Sequence, residues 1–376
     1  MSILIFIVVI VALIVVHEFG HFVAAKWSGM RVDEFGLGYP PRAMLIGKVG
    51  ETEYTLNWLP FGGFVKIYGE DPSTSLMAGG SDTRAFSARP RILQALVLVA
   101  GIAMNLLFAY ALITGALIAG TPRALSDSEI ANARNTELAV ANVLPASPAA
   151  LAGILPGDSI MSASDARGQW RPSTSLGTSV PLPKSFSTFI AESGGSAVTL
   201  EVKRDGHVVS INATPVAGVA AADPSRYALG VEVATIGVVP LSLGAAAVEG
   251  ASLTWEATKL TAVGLWHFFY GVFTLSADLS QVAGPIGIAG VVGSASAQGF
   301  GYLFSIMAII SINLALINLI PVPALDGGRL LFVIIESVIR RPIKPSVASA
   351  MNAVGFVFLI LLMLVVSAHD IFKIVG

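Results

Sequence analysis

Of 376 residues, 54% are apolar and only 12% charged; soluble domains carry about 25% charged residues, so the composition is that of a membrane protein. A net charge of −2 offers no electrostatic footprint for nucleic acid, and no nucleic-acid partner is expected. The absence of cysteine excludes disulfides, thiolate metal sites and a cysteine nucleophile.

Four stretches, approximately 3–25, 92–119, 302–322 and 347–367, are long and apolar enough to cross a bilayer as helices, which takes roughly 20 residues each. No Lys or Arg precedes Lys26 and no small-residue cleavage site follows the first run, so it reads as a retained helix rather than a signal peptide. In residues 26–91, Glu53–Leu59 and Gly63–Tyr68 are β-rich and separated by Pro60 and Gly62. They predict either a β-hairpin able to pair with an extended peptide or a structural loop on the cytoplasmic side. Gly79–Asp82 reads as a loop, and Ser87–Arg91 is a basic flank of the second span.

Residues 123–235 alone have soluble-domain character. Val140–Val143 predicts a strand, and Ser147–Gly153 a short helix with a glycine stop. Pro156-Gly157-Asp158 is a turn before a strand at Ser159–Met161, and Phe186–Glu192 suggests a second helix. Val198–Val202 and Val208–Ile211 alternate about Asp205-Gly206 as a hairpin, and Tyr227–Val231 is a last strand. Residues 167–184 read as an exposed loop.

Residues 241–276 are apolar but interrupted by Glu249, Glu256, Lys259 and His267. That favours an amphipathic helix on the membrane surface, with a fifth span as the alternative. No internal repeat is visible, which weakens a transporter reading. The expected organisation is 1–122 with two spans and the hairpin, 123–235 as the inserted α+β domain, 236–300 as surface helix and linker, and 301–376 with two further spans. Arg340, Arg341 and Lys344, then Arg84, Arg89 and Arg91, then Lys26 and Arg31 all fall on one side, which the positive-inside rule makes cytoplasmic. Both termini and the 123–300 region are then outside.

The chemistry lies in His17-Glu18-Phe19-Gly20-His21 within the first span. Histidines four apart share a helix face and can present imidazole nitrogens to one cation, and Glu18 is placed to take a proton from water. Ionisable groups at bilayer depth are costly and by default functional. A catalytic zinc usually takes three protein ligands. His207, His267 and His369 fall in regions expected to be solvated, whereas Asp326 arrives at the cytoplasmic end of the third span, the depth of His17 and His21. Asp326 is therefore the third-ligand candidate, the competing reading being a cap on a helix starting near Gly327. Pro321 and Pro323 free backbone groups at that end, tolerable only against protein or a water-filled cavity. Asn318, Asn313 and Asn105 are polar groups at membrane depth, more often interhelical glue than catalytic.

These residues resemble the site-2 protease family of intramembrane zinc metalloproteases, in its bacterial RseP-like branch. That family pairs an N-terminal HExxH helix with a late NxxPxPxLDG segment, here His17–His21 and Asn318–Gly327, both complete. The resemblance covers nearly the whole chain. It implies Zn2+ held by His17, His21 and Asp326, with Glu18 as general base and Asn318 touching substrate or the developing oxyanion. Gly36-Leu37-Gly38 and Pro60–Lys66 look like the family's membrane-associated β-hairpin, which clamps substrate as an added strand. Ser147–Asp158 is similar to a bacterial PDZ domain, whose carboxylate-binding loop would lie at Leu229-Gly230-Val231. Gly284–Ala289 matches a stretch that the family places before the third span.

The fold class implied is a polytopic α-helical membrane protein with four transmembrane helices, a membrane-associated β-hairpin and an inserted PDZ-like domain. Substrates would be single-span membrane proteins already trimmed outside, such as anti-sigma factors or signal-peptide remnants. The PDZ-like domain would act as a size filter on the outer face of a bacterial inner membrane. The chain departs from the family at Gly101–Asn105, which lacks a proline usual there, in carrying one PDZ-like domain where some relatives have two, and in the length of the 167–184 loop. An inactive membrane scaffold is the competing class, and the intact His17, Glu18, His21 and Asp326 speak against it.

Overall fold

Long apolar runs are stable in hydrocarbon only when every backbone amide is bonded within its own segment, and helices satisfy that. The computed structural model describes residues 2–70, 83–127, 129–130, 133–172, 182–204, 206–219, 223–239, 241–274, 276 and 283–375. In chain order its elements are α1 (Ser2–Trp27), β1 (Val32–Val49), β2 (Thr52–Ile67), α2 (Arg91–Ala119), β3 (Arg123–Ala124), β4 (Arg134–Val143), α3 (Pro148–Leu151), β5 (Ser159–Asp165) and β6 (Gly168–Trp170). There follow α4 (Leu182–Glu192), β7 (Val198–Arg204), β8 (His207–Ala213), β9 (Val231–Val238), α5 (Leu243–Phe273), α6 (Pro285–Gln298), α7 (Phe300–Leu319), α8 (Asp326–Ile339) and α9 (Pro345–Val375). Among the described residues four helices, α1, α2, α7 and α9, are long and apolar enough to cross a membrane. The architecture is that of a polytopic α-helical membrane protein with an inserted α+β domain. The chain forms two units, one of Met1–Ala119 with Leu243–Gly376 and the other Gly120–Ser242.

In the helical unit, small residues set the helix approaches. A Cβ at Gly20 would stand 2.4 Å from the Ala100 carbonyl, so α1 and α2 meet backbone to backbone. Ala109 and Leu112 of α2 pack on Ala308 and Ile312 of α7, and Ser311 Oγ donates to the Asn105 carbonyl at 2.8 Å. Helix α5, expected as a surface element, lies along these two: Ala257 joins their cluster, and a Cβ at Gly250 would be 2.4 Å from Thr114 Oγ1. Val292 of α6 packs on Val9 and Leu13 of α1. The start of α6 accepts α9 through Asp370, whose carboxylate takes the N–H groups of Gly284 at 3.1 Å and Gly287 at 2.8 Å.

The expected hairpin is more elaborate than two strands. The first half of β1 pairs on both sides with β2, Phe35 facing Val65 on one side and Tyr54 on the other, while Leu45 pairs back on Thr55. The order of segments is therefore 63–67, 32–37, 53–59, 42–49, with 63–67 at an edge. Gly38, at φ +79, sits where a Cβ would be 2.6 Å from the Leu59 carbonyl, so only glycine fits the fold-back. Residues 79–82, expected as a loop, lie outside the described residues.

The inserted unit is a seven-stranded sheet in the order β3-β9-β4-β5-β7-β8, with β6 on β5. Leu138, Ile160, Val198, Leu200 and Val202 pack beneath Phe186 and Ile190 of α4, the alternation that puts one strand face inward. Ser147 caps α3, its Oγ accepting the Ala150 N–H at 3.3 Å. Buried Asp158 accepts from Arg204 Nε and Nη2, each at 2.7 Å, and from the Leu155 N–H at 2.9 Å. The last strand starts at Val231, four residues later than Tyr227. The reason is Gly230, whose φ of +79 interrupts the extended backbone and whose missing Cβ leaves room for Ser147. Part of the expected 167–184 loop forms β6 and the first turn of α4, and residues 173–181 lie outside the described residues.

Candidate metal centre

Histidines 17 and 21 occupy one face of α1, turned inward with 6% and 7% of their surface exposed. Asp326 reaches them from the far end of the chain. Its approach follows from the sequence between α7 and α8: Pro321 and Pro323 cannot donate, and α7 stops at Leu319. The chain turns through Ala324 at φ +80. Gly327 and Gly328 then lie so close that a Cβ on either would stand 2.3 Å from the Leu319 or Val322 carbonyl oxygen. Asp326 is the first residue of α8, and the cap position, Leu325, makes no side-chain cap bond. The carboxylate is turned to the histidines: Oδ2 lies 2.9 Å from His17 Nε2 and 3.1 Å from His21 Nε2, and those two nitrogens are 3.1 Å apart.

The three atoms form the one candidate metal cluster among the described residues. Ligands about 2.1 Å from a tetrahedral zinc stand about 3.4 Å from each other, so a slight opening of this triangle admits the ion. Protonation makes the same point. His21 Nδ1 lies 2.8 Å from the Val97 carbonyl, which can only accept, so the proton of a neutral ring sits on Nδ1. Nε2 then carries a bare lone pair aimed at a carboxylate oxygen, an arrangement that a cation turns from repulsive to attractive. The residues fit zinc.

Around this triangle, Asn105 Nδ2 and His17 Nδ1 are 3.2 Å apart, and Asn318 Nδ2 lies 3.4 Å from His17 Nε2. The Glu18 carboxylate accepts the backbone N–H of Val65 at 3.1 Å, so the edge segment of the β-hairpin abuts the acid beside the histidines. Asn313 is not brought in; its amide donates to Ile309 of its own helix at 3.0 Å. Gly230 and Val231 belong to the inserted unit, and His207, His267 and His369 are outside the cluster. The sequence marked Gly101 only by the proline missing after it; in the structure a Cβ there would stand 2.4 Å from His21 Nε2 and 2.9 Å from His17 Cε1. Its four-residue spacing from Asn105, the same as that of the two histidines, was the available signal.

A family model described as Peptidase family M50 matches residues 5–362. The chain belongs to peptidase family M50. Among similar proteins, a Clostridium perfringens chain named "Putative zinc metalloprotease" is 34% identical over 360 residues, covering 96% of this chain and 95% of that one. A Nostoc protein of the same name is 33% identical, with 96% and 93% covered. The zinc metalloprotease RasP of Shouchella clausii is 26% identical over 449 residues, covering 99% of both chains. This M50 protein is a multi-pass zinc metalloprotease of the bacterial site-2 protease family, and its cofactor is Zn2+.

Proposed function

We propose that this M50 protease cuts peptide bonds inside the membrane, within the spans of single-span proteins already trimmed outside, such as anti-sigma factors or signal-peptide remnants. One observation carries the reading: His17, His21 and Asp326 converge on one point, all on or next to helices of membrane-spanning character. In this reading the three residues hold the metal. Zinc supplies Lewis-acid chemistry when bound, polarising a carbonyl and making water a nucleophile at neutral pH. Glu18 takes the proton of the attacking water and hands it to the leaving amine. Asn318, on the rim beside His17, turns its amide to the substrate carbonyl, where negative charge develops.

An extended substrate would pair along the 63–67 edge, next to Glu18, so that the scissile bond is held as a strand rather than a helix. In the PDZ-like unit, Gly230 and Val231 would receive a peptide terminus. In support, β3 pairs with β9 at Ile236 and Gly237, while a peptide would pair along the residues just after Gly230. The basic clusters at Lys26, Arg31, Arg84, Arg89, Arg91, Arg340, Arg341 and Lys344 argue for a bacterial inner-membrane protein with the metal toward the cytoplasm and the PDZ-like unit outside, filtering substrates by size.

The test is Glu18→Gln. Zinc content should stay stoichiometric while cleavage of a reporter transmembrane segment falls to background; undiminished turnover would remove Glu18 from the role of base.

A further inference from the structure

Among the described residues, the side chain most at odds with its surroundings near the metal cluster is Asn105. It is fully buried, its Oδ1 has no hydrogen-bond partner, and its Nδ2 faces His17 Nδ1 at 3.2 Å. In this orientation the amide donates to Nδ1, which would then carry no proton. Metal ligation demands the reverse. A neutral histidine that offers Nε2 to a cation carries its proton on Nδ1, and that N–H needs an acceptor. The oxygen and nitrogen of an asparagine amide are interchangeable by a half-turn, and the hydrogen-bond network decides between them. Turning Asn105 over leaves one amide atom unpaired in either case, so the count of partners is the same. Only the turned form accepts from His17 Nδ1–H.

We infer that Asn105 is a positioning residue for the metal site: its Oδ1 accepts the Nδ1–H of His17 and fixes the ring with Nε2 toward the zinc. The inference rests on the metal reading above. It makes the two histidines equivalent. The Val97 carbonyl accepts from His21 Nδ1 at 2.8 Å, and Asn105 does the same for His17, both from α2. Gly101 lies one turn before Asn105, where a Cβ would collide with both imidazoles. The pair Gly101 and Asn105 thus does for the rings what a bare helix face could not: one makes room and the other sets orientation. Ser311 Oγ donates to the Asn105 carbonyl at 2.8 Å, which keeps this turn of α2 against α7.

The experiment uses the full-length protein in detergent, as wild type, Asn105→Leu and Asn105→Asp. Zinc affinity is read by competition with a chromophoric chelator. The cobalt-substituted forms are read for exchangeable, hyperfine-shifted Nδ1–H proton lines. Leu matches asparagine in size but cannot accept, and should weaken zinc about 10- to 100-fold, with faster solvent exchange of one of the two lines. Asp can accept and should hold zinc within about threefold of wild type with both lines protected. Wild-type affinity in Asn105→Leu would overturn the inference. So would an Asn105→Asp protein as weak as the Leu form, which would mean that the amide donates rather than accepts. If the Leu protein does not fold, the Asp protein decides alone: wild-type affinity supports the acceptor role, and a tenfold loss ends it. A wild-type protein that takes up no zinc would instead strike at the metal reading itself.

Discussion

The carboxylate of Glu18 and the backbone N–H of Val65 are joined at 3.1 Å, a bond between the acid of the HExxH helix and the edge segment of the β-hairpin. The strand therefore orients the acid proposed as the base, and Val65→Pro deletes the donor without touching His17, His21 or Asp326. A hydrogen bond to a charged group contributes about 1.5–3 kcal/mol, so kcat should fall about tenfold or more with zinc content unchanged. An unaltered kcat in the Val65→Pro protein would show that the strand does not set the position of the acid.

Asp326 contributes the only oxygen of the candidate triangle. Asn in its place keeps the shape and discards the charge. Zinc affinity should drop by more than about 100-fold, beyond the range found for outer partners of ligands. Metal analysis after dialysis of Asp326→Asn reads this directly, and stoichiometric zinc would disprove the third-ligand assignment.

The inserted unit should have its own acid limit. Hydrogen bonds from Arg123, joined by the backbone and hydroxyl of Ser126, hold Glu129 at about 2, down from an ordinary 4.5. A carboxyl whose folded value is depressed stabilises the fold above its unfolded value, and that contribution is lost as pH falls between the two. Here the window runs from about 4.5 down to about 2. Arg123→Met should remove the largest part of the dependence and leave the part due to Ser126, so that hydrogen exchange along the β3–β9 pairing, corrected for intrinsic rates, has a shallower slope in this window. Equal slopes in the two proteins would refute the assignment.

Features that follow from short-range periodicity were legible in the sequence. His17 and His21 are four apart on a helix, which fixes their common face whatever surrounds them. The four spans declare themselves by length and apolarity, and the glycines and prolines after Asn318 mark a break. Depth, inferred from the positive residues, brought Asp326 to the histidines; the cap position falls on Leu325, and the Asp326 carboxylate faces His17 and His21 instead. Features that depend on neighbours were not legible. The polar residues of α5 pointed to a helix outside the spans, but not to the packing of its small residues Ala257 and Gly250 on α2 and α7. The double pairing of β1 rests on a fold-back at Gly38 that strand propensity does not encode. Gly101 carries no chemistry, and its meaning lies wholly in the space that two imidazoles need.

His21 and Asp326 are separated by 305 positions in the chain. A ribosome making this protein releases the two histidines long before the aspartate exists, and the PDZ-like unit and α5 are synthesised in the interval. A catalytic centre divided in this way is inert throughout its own biogenesis. On the proposed ligand set it is complete only once the late segment bearing Asp326 has docked on the first helix. Truncated or stalled products, however well inserted, would be harmless to the membrane that carries them.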